Sequence, residues 1–161
     1  MNNTFSDHSR VWIYMSNRPF TDIEVSDIEM ALIRFCKEWT AHGSNLSAKG
    51  EVRFNRFIIL MVDEIQAGAS GCSIDKSVHF IKEIEEEYNV QLFDRLLIAW
   101  MQDDEVKTTP FSEIEKLLED GAISENTLVF NNAITTKKDL DQRWTIPLKE
   151  SWMASRIVSK P

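Results

Sequence analysis

Phe57-Ile58-Ile59-Leu60-Met61-Val62 places six apolar residues in a row with no alternation, the pattern of a strand covered on both faces. Asp63 and Glu64 end the run. A loop of small residues follows, Ala67-Gly68-Ala69-Ser70-Gly71-Cys72-Ser73. From about Ile74 to Tyr88 the residues Ile74, Val78, Ile81, Ile84 and Tyr88 recur on one helical stripe. Strand, small-residue loop and helix is an arrangement that can hold a ligand. This stretch therefore decides the fold and the first place to look for a site.

Upstream, Val11-Trp12-Ile13-Tyr14-Met15 is a second fully apolar run, broken by Ser16-Asn17-Arg18-Pro19. Thr21 and Glu24 have capping-box spacing, with Phe20 and Val25 at the staple positions. The helix they open is expected to run to about Ala41, turning Val25, Ile28, Leu32, Phe35, Cys36 and Trp39 inward, with Gly43 as its C′ residue. Val52 and Phe54 alternate with Arg53, so Leu46 to Phe54 reads as a half-exposed strand, and Asn55-Arg56 as the turn into the buried one. Leu96 to Met101 is a fourth strand, and Gln102 to Glu105 turns it back into an edge piece, Val106 to Thr109.

The order is β-α-β-β-α-β, with the two wholly apolar strands first and third. A ferredoxin-like antiparallel sheet, strand order 4-1-3-2, puts those two strands in its centre. The expected class is therefore α+β: a ferredoxin-like core over residues 10–109 after a frayed segment 1–9, and an α/β extension over 110–161 that covers the open face of the sheet. In that extension Ser112 and Glu115 suggest a second capping box, Gly121 stops its helix, and Thr127 to Phe130 is a short strand. Lys137 to Lys160, broken at Pro147, reads as a loop and short helices laid over the sheet. With no linker rich in Gly, Pro or Ser, the 161 residues suit a single domain.

Composition narrows the function classes. Hydrophobic residues make up 43% of the chain, which suits a folded protein and not a disordered one. No apolar run approaches the roughly 20 residues of a membrane span, and the N-terminus lacks the pattern of a signal peptide, so a soluble cytoplasmic protein is expected. A net charge of −8 speaks against nucleic acid and anionic membrane as partners. A protein partner or a second copy of the chain stays open. Cys36 and Cys72 have no CxxC or HxxxH companions, and His8, His42 and His79 are scattered. Neither a metal nor a cofactor is expected.

The topology brings the loop after the first helix and the loop before the second to one end of the sheet. Cys72, near a helix N-terminus that favours a thiolate, would there meet His42 as its base. Asp63, Glu64 or Asp75 would orient the imidazole. Ser73 and Asp75 are ligand-binding candidates in the same loop, although Ser73 as an N-cap and Cys72 as a small loop residue is the plainer reading. At the opposite end Asn17, Arg18, Asn55 and Arg56 would clamp an anion, or else serve simply as surface and turn residues. Gly68 to Ser77 follows a strand, opens a helix and ends in Lys76-Ser77, yet Asp75 precedes the lysine and Ser70 stands where a Walker loop has Gly. Phosphate-loop chemistry does not follow from it. Glu83 to Glu87 is a solvated helix face.

Several stretches carry a resemblance: Val11-Trp-Ile-Tyr with Ser16-Asn-Arg18, Trp39-Thr-Ala-His-Gly43, Gly71-Cys-Ser-Ile-Asp75 with Ser77-Val-His-Phe-Ile81, Val129-Phe-Asn-Asn132, and Ser151-Trp152. Together they resemble a group of small uncharacterised bacterial proteins often labelled "ABC transporter ATPase". The resemblance implies no catalytic residue. The sequence has neither a Walker A loop nor an LSGGQ-type signature, and Asp63-Glu64 after an apolar strand is the one fragment similar to a Walker B. Pro110 to Phe130 is similar in pattern to GYF-type interaction domains, without the aromatic motif that names them. These readings lead to a non-enzymatic interaction or ligand-binding module, with a thiol-dependent enzyme built on Cys72 and His42 as the alternative.

Overall fold

The computed structural model describes residues 5–41, 43–64 and 68–157. Its first sheet joins β1 (Arg10–Met15), β5 (Phe57–Asp63) and β4 (Ser47–Arg53) in the order β1-β5-β4, both pairings antiparallel. α1 (Asp22–Glu38) and α2 (Gly71–Tyr88) cover one of its faces. Because successive side chains of a strand point to opposite faces, the unbroken apolar run of β5 serves two cores. Ile58, Leu60 and Val62 meet Ile28, Leu32, Trp39, Ile81 and Ile84 under the helices. Phe57, Ile59 and Met61 meet Ala99, Phe130, Leu140 and Trp144 on the other side.

That second face is covered by another antiparallel sheet, in the order β7-β6-β8-β9, built from β6 (Leu97–Gln102), β7 (Glu105–Pro110), β8 (Leu128–Phe130) and β9 (Thr145–Pro147). Its outer face carries Ile98, Trp100 and Val129 against Ile114 of α3 (Ile114–Glu119), Ile123, Leu148 and Met153. The layers run helices, sheet, sheet, short helices, which is an α+β architecture. α4 (Lys137–Arg143) sets Leu140 into the core between the sheets, and α5 (Ala154–Ile157) ends the described chain.

Three of the four expected core strands take the expected order, and the fourth does not. Leu97–Gln102 is the expected partner of β1 but lies in the second sheet, between β7 and β8. The flank of β1 is occupied instead by the segment around Thr135-Thr136, where the Val11 N–H donates to the Thr135 carbonyl at 3.0 Å and Arg10 bridges Thr136. The physical reason is local. Asp103 and Asp104, both left-handed (φ 51° and 67°), close a tight hairpin that pairs β6 with β7 at once. Both faces of β6 are then buried between two cores, and the edge of β1 holds no comparable reward. The extension does cover the open face of the first sheet, although Thr145–Pro147 is an edge strand where a loop was expected.

Both helix ends also shift. α1 stops at Glu38 because Trp39 turns to extended backbone (φ −73°, ψ 120°). Gly43, at φ +79°, forms the turn between β2 (Thr40–Ala41) and β3 (Ser44–Asn45) and is not a helix cap. α2 starts at Gly71, three residues before the expected Ile74, because Ser70 is its cap and not Ser73. The two serines bond reciprocally, Ser73 N–H to Ser70 Oγ at 3.1 Å and Ser70 N–H to Ser73 Oγ at 2.7 Å. The expected Thr21–Glu24 box forms at α1. α3 instead begins as a 3-10 turn, with Glu113 at its cap and no side-chain cap bond.

Candidate functional site

The two ends of the first sheet hold the two candidate sets, and the structure treats them differently. At the end where α1 finishes and α2 starts, the Trp39 indole N–H donates to the Ser73 carbonyl at 2.8 Å. The loops expected to approach one another therefore do. Cys72 is exposed on the first turn of α2, and Ser73 is buried with its hydroxyl in the capping pair. Asp75 is exposed and lines a groove of about 440 Å³ with Trp39, Lys76 and His79. Asp63 accepts from the Ser6 N–H at 3.2 Å, and Glu64 pairs with Arg10 at 3.4 Å, so both carboxylates hold the N-terminal segment. His42 lies outside the described residues.

The opposite end divides the expected anion clamp. Arg18 is occupied: it forks onto Glu24 at 2.9 and 3.0 Å and donates to the Tyr88 carbonyl at 2.7 Å, which ties the start of α1 to the end of α2. That fork, together with the Thr21 N–H, holds the Glu24 carboxyl down at about 2. Asn17 accepts from the Gln91 N–H at 2.9 Å and its own N–H donates to the Gln91 carbonyl. These two residues are spent on closing helix α2. Arg56 is not spent in the same way.

Arg56 is 6% exposed, the one charged residue among the described residues that is buried. Its backbone is pinned by the Ser16 N–H at 2.8 Å, and its Nη1 donates to the Ser16 carbonyl at 3.3 Å and to the Thr108 hydroxyl at 3.2 Å, a bridge between the two sheets. No carboxylate lies within ion-pair distance of it among the described residues. Nε and Nη2 make no hydrogen bond there either. No described buried side-chain nitrogen lacks a partner, so those two atoms keep contact with the space outside. Burial lowers the guanidinium pKa from its ordinary value, and the group is still a cation at neutral pH.

That space is an open cleft of about 850 Å³ between the Phe54-Asn55 turn and the β6–β7 hairpin. Pro19, Phe54 and Asn55 line one side with Arg56; Asp104, Glu105, Val106, Lys107 and Thr108 line the other. Both flanking turns hold non-glycine residues in left-handed backbone: Phe54 and Asn55 at φ 54°, Asp103 and Asp104 on the other hairpin. A bulky residue in that region costs about 1–2 kcal/mol. Phe54 is held there by its contacts with Phe57, Phe130 and Trp144 at 5.7–6.2 Å between ring centroids. At the rim Lys107 pairs with Glu105 at 3.2 Å.

Sequence reasoning found Asn55 and Arg56 as anion candidates but missed Thr108, Lys107 and Val106. The sequence carries no signal for them, because a ferredoxin-like order puts Leu96 to Met101 beside β1 and not across from the Asn55-Arg56 turn. The one usable cue was the Gln102-to-Glu105 turn itself. No metal-binding group of three or more His, Cys, Asp or Glu side chains occurs among the described residues, and no described helix is long and apolar enough to cross a membrane. Comparison with family models, with characterised proteins and with solved structures returns no match.

Proposed function

We propose that this chain is a non-enzymatic binding module for a small molecule, seated in the cleft between the Phe54-Asn55 turn and the β6–β7 hairpin. The observation that carries the reading is Arg56. A largely buried guanidinium with no carboxylate within ion-pair distance among the described residues carries a desolvation cost that its two bonds and the open cleft offset only in part, and a purely structural tie between the two sheets needs no charge. A group that stays costly in the free protein and lines an open cleft is repaid when something binds. The test is a set of ¹⁵N–¹H correlation spectra recorded with mixtures of small metabolites. Shifts are expected to gather on Asn55, Arg56 and Val106 to Thr108. Shifts gathered on the Trp39–His79 groove, or none at any metabolite concentration in the millimolar range, would sink the reading.

A second reading, a thiol-dependent enzyme using Cys72 with His42, is favoured by the exposure of Cys72 on the first turn of an 18-residue helix and by the Trp39–Ser73 bond that draws the two loops together. Its test is the pH dependence of Cys72 alkylation in wild type and His42→Ala; identical profiles with an ordinary thiol pKa end it. Membership in the group with the ATPase label is likewise a proposal, resting on the stretches quoted above, and it lends no activity. Lys76 and Ser77 sit one turn inside α2, with the Ser77 hydroxyl donating to the Ile74 carbonyl at 2.6 Å, which supports reading the loop as something other than a phosphate cradle. For the same reasons of charge, we keep nucleic acid and anionic membrane out of the proposed partners.

A further inference from the structure

Resting on the cleft reading above, we infer that the ligand presents a carboxylate, and that the Nε–Nη2 edge of Arg56 receives it. The reasoning starts from which guanidinium protons are already committed. Nη1 is turned toward the protein, giving its protons to the Ser16 carbonyl at 3.3 Å and the Thr108 hydroxyl at 3.2 Å. What remains is the side edge, an Nε–H and an Nη2–H lying parallel in one plane. That fork matches the two oxygens of a planar carboxylate and forms two parallel N–H···O bonds.

Burial sharpens the choice. Arg56 is more than nine-tenths buried, so a carboxylate arriving at the fork supplies an opposite charge in direct contact, which no described side chain does within ion-pair distance. One unit of negative charge balances one guanidinium. A phosphate monoester brings close to two, and the further cation on the cleft wall, Lys107, is already paired with Glu105 at 3.2 Å. Asp104, on the same wall, repels any anion, and a dianion about twice as strongly as a monoanion. A monocarboxylate with an apolar body against Pro19, Phe54 and Val106 satisfies the fork, the charge count and the wall together.

The test uses the full chain and three probes with a phenyl body: 3-phenylpropionate, its isosteric amide 3-phenylpropionamide, and phenyl phosphate. Each is titrated while the Arg56 Nε–H resonance and the backbone amides of the cleft are followed. With the carboxylate, Arg56 Nε–H is expected to move downfield in a saturable way, with the amide giving no such shift at equal concentration. Arg56→Lys keeps the charge but not the fork, and is expected to weaken the carboxylate about tenfold or more. The comparison among probes needs only the wild-type protein, so it holds even where the lysine variant folds poorly. Equal binding of amide and carboxylate in the cleft would overturn the carboxylate assignment and leave the binding module standing. Tighter binding of phenyl phosphate would overturn it in favour of a phosphate ligand. Silence of Arg56 Nε–H with all three probes would overturn it too, and the metabolite spectra then judge the cleft on their own.

Discussion

Replacing Phe57 by alanine tests whether the two sheets are one folded unit. Phe57 is fully buried on the face of β5 turned toward the second sheet. Its ring lies 4.8 Å from Phe130 and 4.9 Å from Trp144 between centroids, the latter edge-on at 76°. Loss of the buried ring removes about 1.5–3 kcal/mol of transfer free energy, and the cavity left in a packed interior brings the total to about 3–5 kcal/mol. That is a large share of the roughly 5–15 kcal/mol by which a domain is stable. For a chain of this length it corresponds to a fall in melting temperature of about 10 °C. The assay is guanidinium denaturation of Phe57→Ala, Trp144→Ala and the double variant, followed by far-ultraviolet circular dichroism. Phe57 belongs to the first sheet and Trp144 caps α4 just before β9 of the second, with the two rings in contact, so the double variant is expected to be less unstable than the sum of the singles by about 0.5–1.5 kcal/mol. A Phe57→Ala cost below about 1 kcal/mol, or strict additivity with Trp144→Ala, would refute the packing of the second sheet on the first.

Other consequences are as direct. A Cβ at Gly50 would stand 2.8 Å from Leu32 Cδ2 and 3.1 Å from Leu32 Cβ, so Gly50→Val is expected to cost about 1–3 kcal/mol in urea unfolding; an unchanged midpoint would mean α1 is not seated on β4. Glu24 has its carboxyl held at about 2 against an ordinary 4.5, so its contribution is whole above pH 4.5 and is lost as pH falls toward 2. Glu24→Gln should therefore flatten the stability profile in that window, by less than about 1 kcal/mol because the pair is partly exposed, while leaving neutral-pH binding alone. Burial pushes the Cys36 thiol up to about 11, whereas Cys72 is exposed. One thiol per native chain should react with a disulfide reagent at pH 8, and two after unfolding; two fast thiols in the native protein would contradict the placement of Cys36.

Much of this architecture was decided along the chain itself. The unalternating run Phe57 to Val62 had to be covered on both sides, and it is, by helices through Ile58, Leu60 and Val62 and by a sheet through Phe57, Ile59 and Met61. The Thr21–Glu24 box, the inward stripe of α1 and the β4–β5 hairpin follow from contacts between near neighbours, which residue type and spacing record. Tertiary structure alone chose the partner of Leu97–Gln102. A strand apolar on both faces is equally content beside β1 or at the centre of a sheet of its own, and the neighbours that settle it, β7 and β8, are set by a turn and by a segment nearly thirty residues on. The same choice made the cleft. Arg18 and Arg56 look alike as sequence, each beside an asparagine in a turn. Only the fold gives Arg18 a carboxylate and buries Arg56 without one, because charge balance at a buried site depends on which distant elements are packed around it.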